Sequence, residues 1–263
     1  VSSYIEYYCV IMIFIFINIK LTMSQSNSRF VIVAALAANS FIAITKFIVA
    51  FMTKSSAMMS EGFHSLVDVG NQSLLLFGLS RSKKKPDKEH PFGYGKEIYF
   101  WSFIVAILLF ALGGGIAIYE GISHWFKPSK ISHIYLSYVV IFIAFVFEIS
   151  AWTIAMKEFR KTSGNRNWLR AIHKAKDPAL IVVLLEDSAA IIGLLIAFVG
   201  ISLSYWFNMP AFDSIASILI GVVLLIVSLW LAYESKHLLI GEAAEPIVIN
   251  NIKNIIKLNP TIS

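Results

Sequence analysis

Residues 179–198 read ALIVVLLEDSAAIIGLLIAF, and this stretch decides the class of the protein because it is long and apolar enough to cross a lipid bilayer. About 20 apolar residues in a helix span a hydrocarbon core that is about 30 Å thick. Only Glu186 and Asp187 interrupt the stretch with ionisable side chains. Such groups are costly at bilayer depth, so those that occur there normally face the protein interior and mark the path of an ion or a proton.

Five further stretches of this kind occur along the chain. Hydrophobic residues make up 57% of the sequence and charged residues 14%, with a mean hydropathy of +0.74, whereas about a quarter of the residues in a soluble domain are charged. The apolar runs are continuous rather than alternating, which favours helices over a barrel. The sequence therefore predicts an all-α membrane protein, a bundle of six transmembrane helices at about residues 29–52, 56–80, 98–124, 133–156, 178–206 and 211–240.

The predicted bundle occupies residues 29–240 and leaves a short segment at each end. Residues 1–28 form an N-terminal extension, and we interpret residues 1–22 as an addition upstream of a start at Met23. A seventh helix is the alternative, although the apolar run at 8–17 is short for a span. The single cysteine, Cys9, lies in this extension, so the sequence predicts no disulfide and no thiolate metal site.

Basic residues are concentrated in two of the predicted connections. One connection carries Arg81, Lys83, Lys84, Lys85, Lys88 and Lys96, another carries Lys157, Arg160, Lys161, Arg166, Arg170, Lys174 and Lys176, and the opposite loops carry only Lys54, Lys127 and Lys130. Positively charged loops stay in the cytoplasm, so six spans place both termini there. The net charge of +6 follows from this asymmetry. We therefore expect membrane lipid rather than nucleic acid as a partner, in the cytoplasmic membrane if the protein is bacterial.

A candidate metal-binding pair, His64 and Asp68, lies in the second predicted span, SSAMMSEGFHSLVDVGNQSLLLFGL at 55–79. His64 and Asp68 are four residues apart, so they share one helix face and can hold one cation together. Imidazole nitrogen and carboxylate oxygen both bind Zn²⁺, at about 2.0–2.2 Å. Asp187 supplies a third ligand if the second and fifth spans touch. Glu186 points about 100° away around its helix, so we expect it to pack elsewhere or to carry a proton.

A structural explanation stands beside the metal site, because polar side chains in membrane helices also form hydrogen bonds between helices. Ionisable residues on two separate spans favour the transport site. We interpret Asn39, Lys46, Asn71 and Gln72 as contacts between helices or snorkelling groups, and Glu148 as a partner of Lys46 or of another buried cation. Three consecutive glycines at 113–115 favour close packing of the third span over a functional hinge.

Four stretches make the chain similar to a known family. They are AALAANSFIAITKFIVAF in the first span, the second-span stretch quoted above, PDKEHPFGYGKEIYFWS in the following loop, and DPALIVVLLEDSAAIIGLL running on to FDSIASILIG. In this combination the chain resembles the cation diffusion facilitator (cation efflux) family of divalent-metal/proton exchangers, and within it the zinc transporter 9-like branch. The resemblance covers nearly all of residues 29–240.

The resemblance implies a four-ligand metal site between the second and fifth spans, built from one pair spaced by four on each helix. The family positions fall on His64 and Asp68 in one span and on Val183 and Asp187 in the other. Valine cannot bind a metal. The fourth place is therefore left to water, to Glu186 or to no group.

The resemblance also bears on the loop and on the C-terminus. Some family members bind an accessory metal with an acid and two histidines; Asp87 and His90 match the first two positions, and Tyr94 stands at the third. We expect this accessory site to be weak or absent, and a loop-capping role for Asp87 is an equal alternative. Residues 241–263 correspond to a remnant of the family's cytoplasmic α/β domain, and the family implies a homodimer.

The function implied by the resemblance is proton-coupled export of a divalent cation from the cytoplasm by alternating access. Zn²⁺ is the first choice of cargo, with H⁺ as counter-ion and no prosthetic group, and Mn²⁺, Co²⁺ or Fe²⁺ are alternatives. A non-transporting membrane subunit is a further alternative, which Val183 and the short C-terminal segment favour. We predict no enzyme, since the sequence has no nucleophile paired with a base, no cofactor loop and no zinc-protease spacing.

Overall fold

The computed structural model describes residues 28–129, 131–163, 178–241 and 246–257. These ranges contain helices and connections but no strands. The helices are α1 Ser28–Thr53, α2 Ser56–Ser82, α3 Glu97–Phe126, α4 Ile134–Ser163, α5 Pro178–Trp206, α6 Ala211–Ile240 and α7 Pro246–Lys257. The predicted all-α bundle is confirmed, and each predicted span coincides with one of the first six helices.

Some of the predictions lie outside the described residues. They concern the extension at 1–22 with Cys9, and the basic residues at 130 and 166–176. The helix α7 falls inside the segment 241–263 that the sequence assigns to a cytoplasmic remnant. The division of the chain into extension, bundle and remnant stays a prediction.

Four helices in the described part of the chain are long and apolar enough to cross a membrane by themselves, namely α3, α4, α5 and α6. In α1 only the shorter stretch Asn39–Thr53 is comparably apolar, and α2 departs from the sequence prediction because its middle is polar. The polar side chains of α2 face inward, and Glu61, His64 and Asn71 are almost fully buried. Because α2 packs against α1, α3, α5 and α6, it is shielded by helices whose outer faces are apolar.

The outer surface of the bundle carries many large apolar side chains. Phe51 on α1, Phe142 on α4 and Ile226 on α6 are 70%, 67% and 62% exposed. A soluble monomer rarely exposes large contiguous apolar patches, whereas the hydrocarbon core of a bilayer suits them. Together with the four apolar helices, this surface makes the chain an integral membrane protein.

Small residues bring α3 and α6 close together. A Cβ atom on Gly114 would lie 2.6 Å from Leu225 Cδ2, and one on Gly221 would lie 2.9 Å from the Gly114 carbonyl oxygen. Close backbone approach through small residues is typical of membrane helices. The expected packing role of the glycine run is confirmed at Gly114, within a π-helical turn at Leu109–Gly115 that interrupts α3.

The helices connect at two ends of the bundle. We call the end with the Lys-rich α2–α3 connection the basic end, and the end with the α1–α2, α3–α4 and α5–α6 connections the opposite end. At the opposite end the Ser132 N–H donates to the Thr53 carbonyl at 3.0 Å, and Ser129 Oγ donates to the Lys54 carbonyl at 3.2 Å. These bonds fasten the α3–α4 connection to the end of α1. Since α2 runs from the opposite end to the basic end and α5 runs the other way, their polar segments meet inside the bundle.

Candidate functional site

A small cavity of about 60 Å³ lies between α1, α2, α4 and α5. Its polar lining consists of the carboxylates of Asp68, Glu148, Glu186 and Asp187 together with Asn39, Ser65 and Gln72. On α5 these residues fall within the first three turns after Pro178, so the cavity lies in the half of the bundle nearer the basic end. Four carboxylates from three helices thus share one small space inside a membrane protein.

His64 and Asp68 lie side by side on α2, as their spacing predicts. His64 Nδ1 is 3.5 Å from Asp68 Oδ1, and the imidazole is only 1% exposed. Neither ring nitrogen of His64 has a hydrogen-bond partner, and Asp68 Oδ1 has none either. More than nine in ten buried polar groups in proteins are hydrogen-bonded, so three unpartnered ligand atoms in one pair are unusual.

The two acids on α5 have different surroundings. Glu186 Oε1 accepts a hydrogen bond from Asn71 Nδ2 of α2 at 2.6 Å. Asp187 Oδ2 is buried without a hydrogen-bond partner, and Asp187 lines the same cavity as Asp68. Glu186 is therefore bound partly to the α2 scaffold, while Asp187 keeps an oxygen for a ligand in the cavity.

The described residues do not contain a group of three His, Cys, Asp or Glu side chains close enough to hold one metal ion. The structure brings Asp68 and Asp187 to one cavity and His64 next to Asp68, but it does not bring all three to coordination distance. Val183 lines the cavity at the position where the resemblance implies a fourth ligand. The ligand set therefore stays a prediction for the conformation that holds a cation.

The structure contains a buried ion pair next to the cavity, which the sequence did not predict. Lys46 Nζ on α1 donates to Glu61 Oε2 at 3.0 Å and to Ser65 Oγ at 2.8 Å. The sequence hypothesis pairs Glu148 with Lys46 or with another buried cation, and it stays a prediction; Glu148 lines the cavity with the other carboxylates. The sequence contains the signal for Glu61, an acid in an apolar span, but it does not show which helix face that acid shares with Lys46.

The contacts between helices that the sequence predicts for the amides are confirmed. Asn39 Nδ2 donates to Gln72 Oε1 at 3.0 Å and joins α1 to α2 at the cavity. The bond from Asn71 to Glu186 joins α2 to α5. These amides hold together the helices that carry the candidate ligands.

A further buried acid, Asp213 at the start of α6, caps α2 at the opposite end of the bundle. Asp213 Oδ2 accepts from the Ser56 N–H at 2.6 Å and from Ser56 Oγ at 3.0 Å, and Asp213 Oδ1 accepts from Ser55 Oγ at 2.6 Å. A carboxylate is favoured at the positive end of a helix dipole, where the first N–H groups lack helical partners. Its oxygens are engaged by these donors, so Asp213 acts as a structural cap.

The loop acid Asp87 is also engaged by its neighbours. Asp87 Oδ1 accepts from the backbone N–H groups of Glu89 and His90, and Oδ2 accepts from the Tyr94 hydroxyl at 2.7 Å. The Tyr94 hydroxyl and these N–H groups hold the pKa of Asp87 below its usual value, and the same bond raises the pKa of Tyr94. These contacts are those of a loop cap, the alternative that the sequence leaves beside an accessory metal site.

The fold and the cavity define a class of protein, a helical integral membrane protein with a buried cluster of carboxylate side chains. Residues 32–240 match the family described as "Cation efflux transmembrane domain". The chain belongs to this family of transporters, as its resemblance implied.

Similar proteins come from animals, plants and bacteria. The Homo sapiens protein named "Proton-coupled zinc antiporter SLC30A9, mitochondrial" is 30% identical over 234 residues, which cover 88% of this chain and 41% of that protein. "Metal tolerance protein C4" of Arabidopsis thaliana is 33% identical over 225 residues, covering 85% of this chain and 49% of that protein. "Manganese efflux system protein MneP" of Bacillus subtilis is 28% identical over 232 residues, covering 88% and 75%. The chain thus spans less than half the length of the first two.

Proposed function

We propose that this chain exchanges a divalent cation, with Zn²⁺ as first choice, for protons across a membrane, and that the cavity is its binding site. The observation that carries this proposal is the set of buried atoms without partners: both ring nitrogens of His64, Asp68 Oδ1 and Asp187 Oδ2. A buried polar atom without a hydrogen bond costs about 1–3 kcal/mol. A cation or protons bound at these atoms would remove that cost.

The exchange follows from the chemistry of these ligands. Metal binding needs the deprotonated carboxylates and the neutral imidazole, so protons and metal compete for the same lone pairs. In the state that holds the cation, a shift of α5 relative to α2 brings Asp187 toward the His64–Asp68 pair, so that all three bind Zn²⁺ at about 2.0–2.2 Å. The hydrogen bond that the Asn71 side chain donates to Glu186 keeps the two helices in contact at this level.

The donor atoms and the names of the relatives support a choice of metal. One imidazole with two carboxylates suits Zn²⁺, and a relative named as a proton-coupled zinc antiporter supports that choice. Mn²⁺ is the second candidate, because carboxylate oxygens favour it and Glu148 adds a further carboxylate to the cavity. The relative named as a manganese efflux system supports this alternative.

We infer the direction of transport from the charge of the loops. Lys- and Arg-rich connections stay in the cytoplasm, so we place the basic end of the bundle there, with both termini on the same side. The cavity in the half nearer that end then takes its cation from the cytoplasm and exports it. We also expect a homodimer, as the family resemblance implies.

The test uses purified protein in sealed proteoliposomes with a pH gradient and a metal-sensitive dye. Wild type should carry Zn²⁺ or Mn²⁺ in exchange for protons that move down their gradient. Asp187→Asn should abolish that metal flux. Asp68→Asn should do the same, because the amide loses the charge and one acceptor oxygen. Glu89→Gln, which changes an exposed loop acid in the same way, is the matched control. Unchanged flux in Asp187→Asn would remove Asp187 from the site, and no flux of any metal in wild type would favour the non-transporting subunit.

A further inference from the structure

We propose that the buried pair of Lys46 and Glu61 is a latch that closes the cation cavity toward the opposite end of the bundle. The latch must separate before a cation can leave on that side. This inference rests on the proposed function, since it assigns the exit side of the same site. It concerns two residues outside the predicted ligand set, on α1 and on α2.

The latch lies directly next to the cavity. The side chains of Lys46 and Glu61 are both 0% exposed, and their charged atoms are 3.0 Å apart. Ser65 belongs to both features, because it lines the cavity and its hydroxyl accepts a hydrogen bond from Lys46 Nζ at 2.8 Å. The cavity therefore borders the ion pair at Ser65.

Beyond the latch, polar side chains continue along α2 toward the opposite end. Ser60 Oγ lies 2.6 Å from Ser217 Oγ of α6, and Ser56 one turn further is bonded to Asp213. Ser60 and Ser217 are fully buried. This row of hydroxyls offers oxygen atoms to a passing ion or proton. In this conformation the hydroxyls are buried and bonded to α6, so the route is closed.

Two features distinguish this pair from a simple structural contact. A buried ion pair is a poor source of stability, because the loss of hydration offsets most of the attraction between the charges. In addition, Glu61 Oε1 is buried without a hydrogen-bond partner. An acid that served only to stabilise α1 against α2 would be expected to have both oxygens engaged.

The unpartnered oxygen of Glu61 faces α5, the helix that carries Asp187. A Cβ atom on Gly193 would lie 2.5 Å from Glu61 Oε1, so the glycine makes room for this carboxylate. A displacement of α5 would therefore change the space around the Glu61 carboxylate. The geometry couples the helix that supplies a candidate ligand to the pair that closes the exit.

Lys46 acts in this proposal as a tethered cation. It neutralises Glu61 while the exit is closed, and its positive charge repels a divalent cation that approaches from the cavity. When α1 and α2 separate, Glu61 becomes available on the exit route. Neutralising both partners should remove the latch without leaving an unpaired buried charge.

The test measures from which side of the membrane a maleimide reaches a cysteine at position 60, in protein without metal. The background variant carries Cys9→Ser and Ser60→Cys, so that the introduced thiol is the only one. The latch variant adds Lys46→Met with Glu61→Gln, and the matched control adds Lys54→Gln, an exposed lysine at the end of α1. A membrane-impermeant maleimide is applied from each side of sealed vesicles, and Zn²⁺ binding is measured separately by calorimetry.

We expect labelling from the opposite end to rise about tenfold in the latch variant and to stay unchanged in the control. Minor conformations are commonly populated at about 0.1–10%, so a rise of this size corresponds to a shift toward the outward-open state. Unchanged labelling in a latch variant that elutes as wild type would overturn the latch. A latch variant too unstable to purify would overturn it as well, since the pair would then be needed for folding. Zn²⁺ binding decides the proposed function separately, because the labelling needs no metal.

Discussion

The replacement Asp213→Asn tests how firmly α6 holds the start of α2. The carboxylate accepts three hydrogen bonds, two at Oδ2 and one at Oδ1. The amide of asparagine offers one oxygen and one NH₂ group, so the Ser55 hydroxyl must turn to accept from the NH₂ group, and the negative charge that strengthens all three bonds is lost. Hydrogen bonds to charged groups contribute about 1.5–3 kcal/mol each. We expect the free energy of unfolding to fall by about 2–4 kcal/mol.

The assay is thermal unfolding of the purified protein in detergent. A loss of this size should lower Tm by about 5–15 °C in a chain of this length. Ser56→Ala removes only the 3.0 Å bond from the hydroxyl and keeps the backbone N–H bond, so its loss should be smaller, about 1 kcal/mol. Glu89→Gln in the exposed loop is the control and should change the free energy by less than about 0.5 kcal/mol. A Tm for Asp213→Asn equal to that of Glu89→Gln would refute the assignment of Asp213 as a buried cap.

Three further predictions concern other parts of the molecule. Tyr94→Phe should raise the pKa of Asp87, because the Tyr94 hydroxyl lowers that pKa in the folded loop. On acidification, the contribution of Asp87 to loop stability should then be lost at a higher pH than in wild type. An NMR titration of Asp87 measures this shift. Gly114→Ala should destabilise the bundle by about 1–3 kcal/mol through overpacking against α6, whereas Gly115→Ala, with its nearest contact at 3.6 Å, should not; thermal unfolding compares them. Val183→Asp should tighten Zn²⁺ binding about tenfold or more by adding a carboxylate to the cavity, and calorimetry showing weaker binding would count against the cavity as the site.

The positions of the helices could be predicted from the sequence because apolar length is a one-dimensional signal. The fifth and sixth predicted spans, 178–206 and 211–240, agree with α5 and α6 at both ends. Prolines at 178 and 210 contribute to this agreement, since proline is favoured at a helix start and disfavoured inside a helix. The second span is harder to predict from apolar length, because the inward-facing polar residues of α2 lower its hydropathy below that of the four apolar helices.

The partners of the buried charges could not be predicted in the same way. Lys46 bonds to Glu61, which the sequence does not show, because the bond depends on which faces of α1 and α2 meet. The carboxylate of Asp213 is likewise visible in the sequence, but its role as the cap of α2 requires contact between residues 157 positions apart. The spacing of four between His64 and Asp68 was informative because both residues belong to one helix, where geometry follows directly from sequence separation.

The contacts of α2 differ between its two ends, and this difference bears on how the bundle can move. At the opposite end α2 is bonded to α6 through Asp213, and α5 packs tightly on α6 where Gly200 meets Ala216. Near the cavity, polar side chains join α2 to α1 and to α5. Such side-chain bonds can exchange partners, whereas a close-packed contact between two backbones must be pulled apart. Asp213 therefore holds α2 to α6 at the opposite end, while α1, which is bonded to α2 through Lys46, can part from these two helices. A separation of α1 from α2 lets the exit open while the cap of α2 stays intact, which is why the loss of Asp213 should affect stability before it affects the affinity for metal.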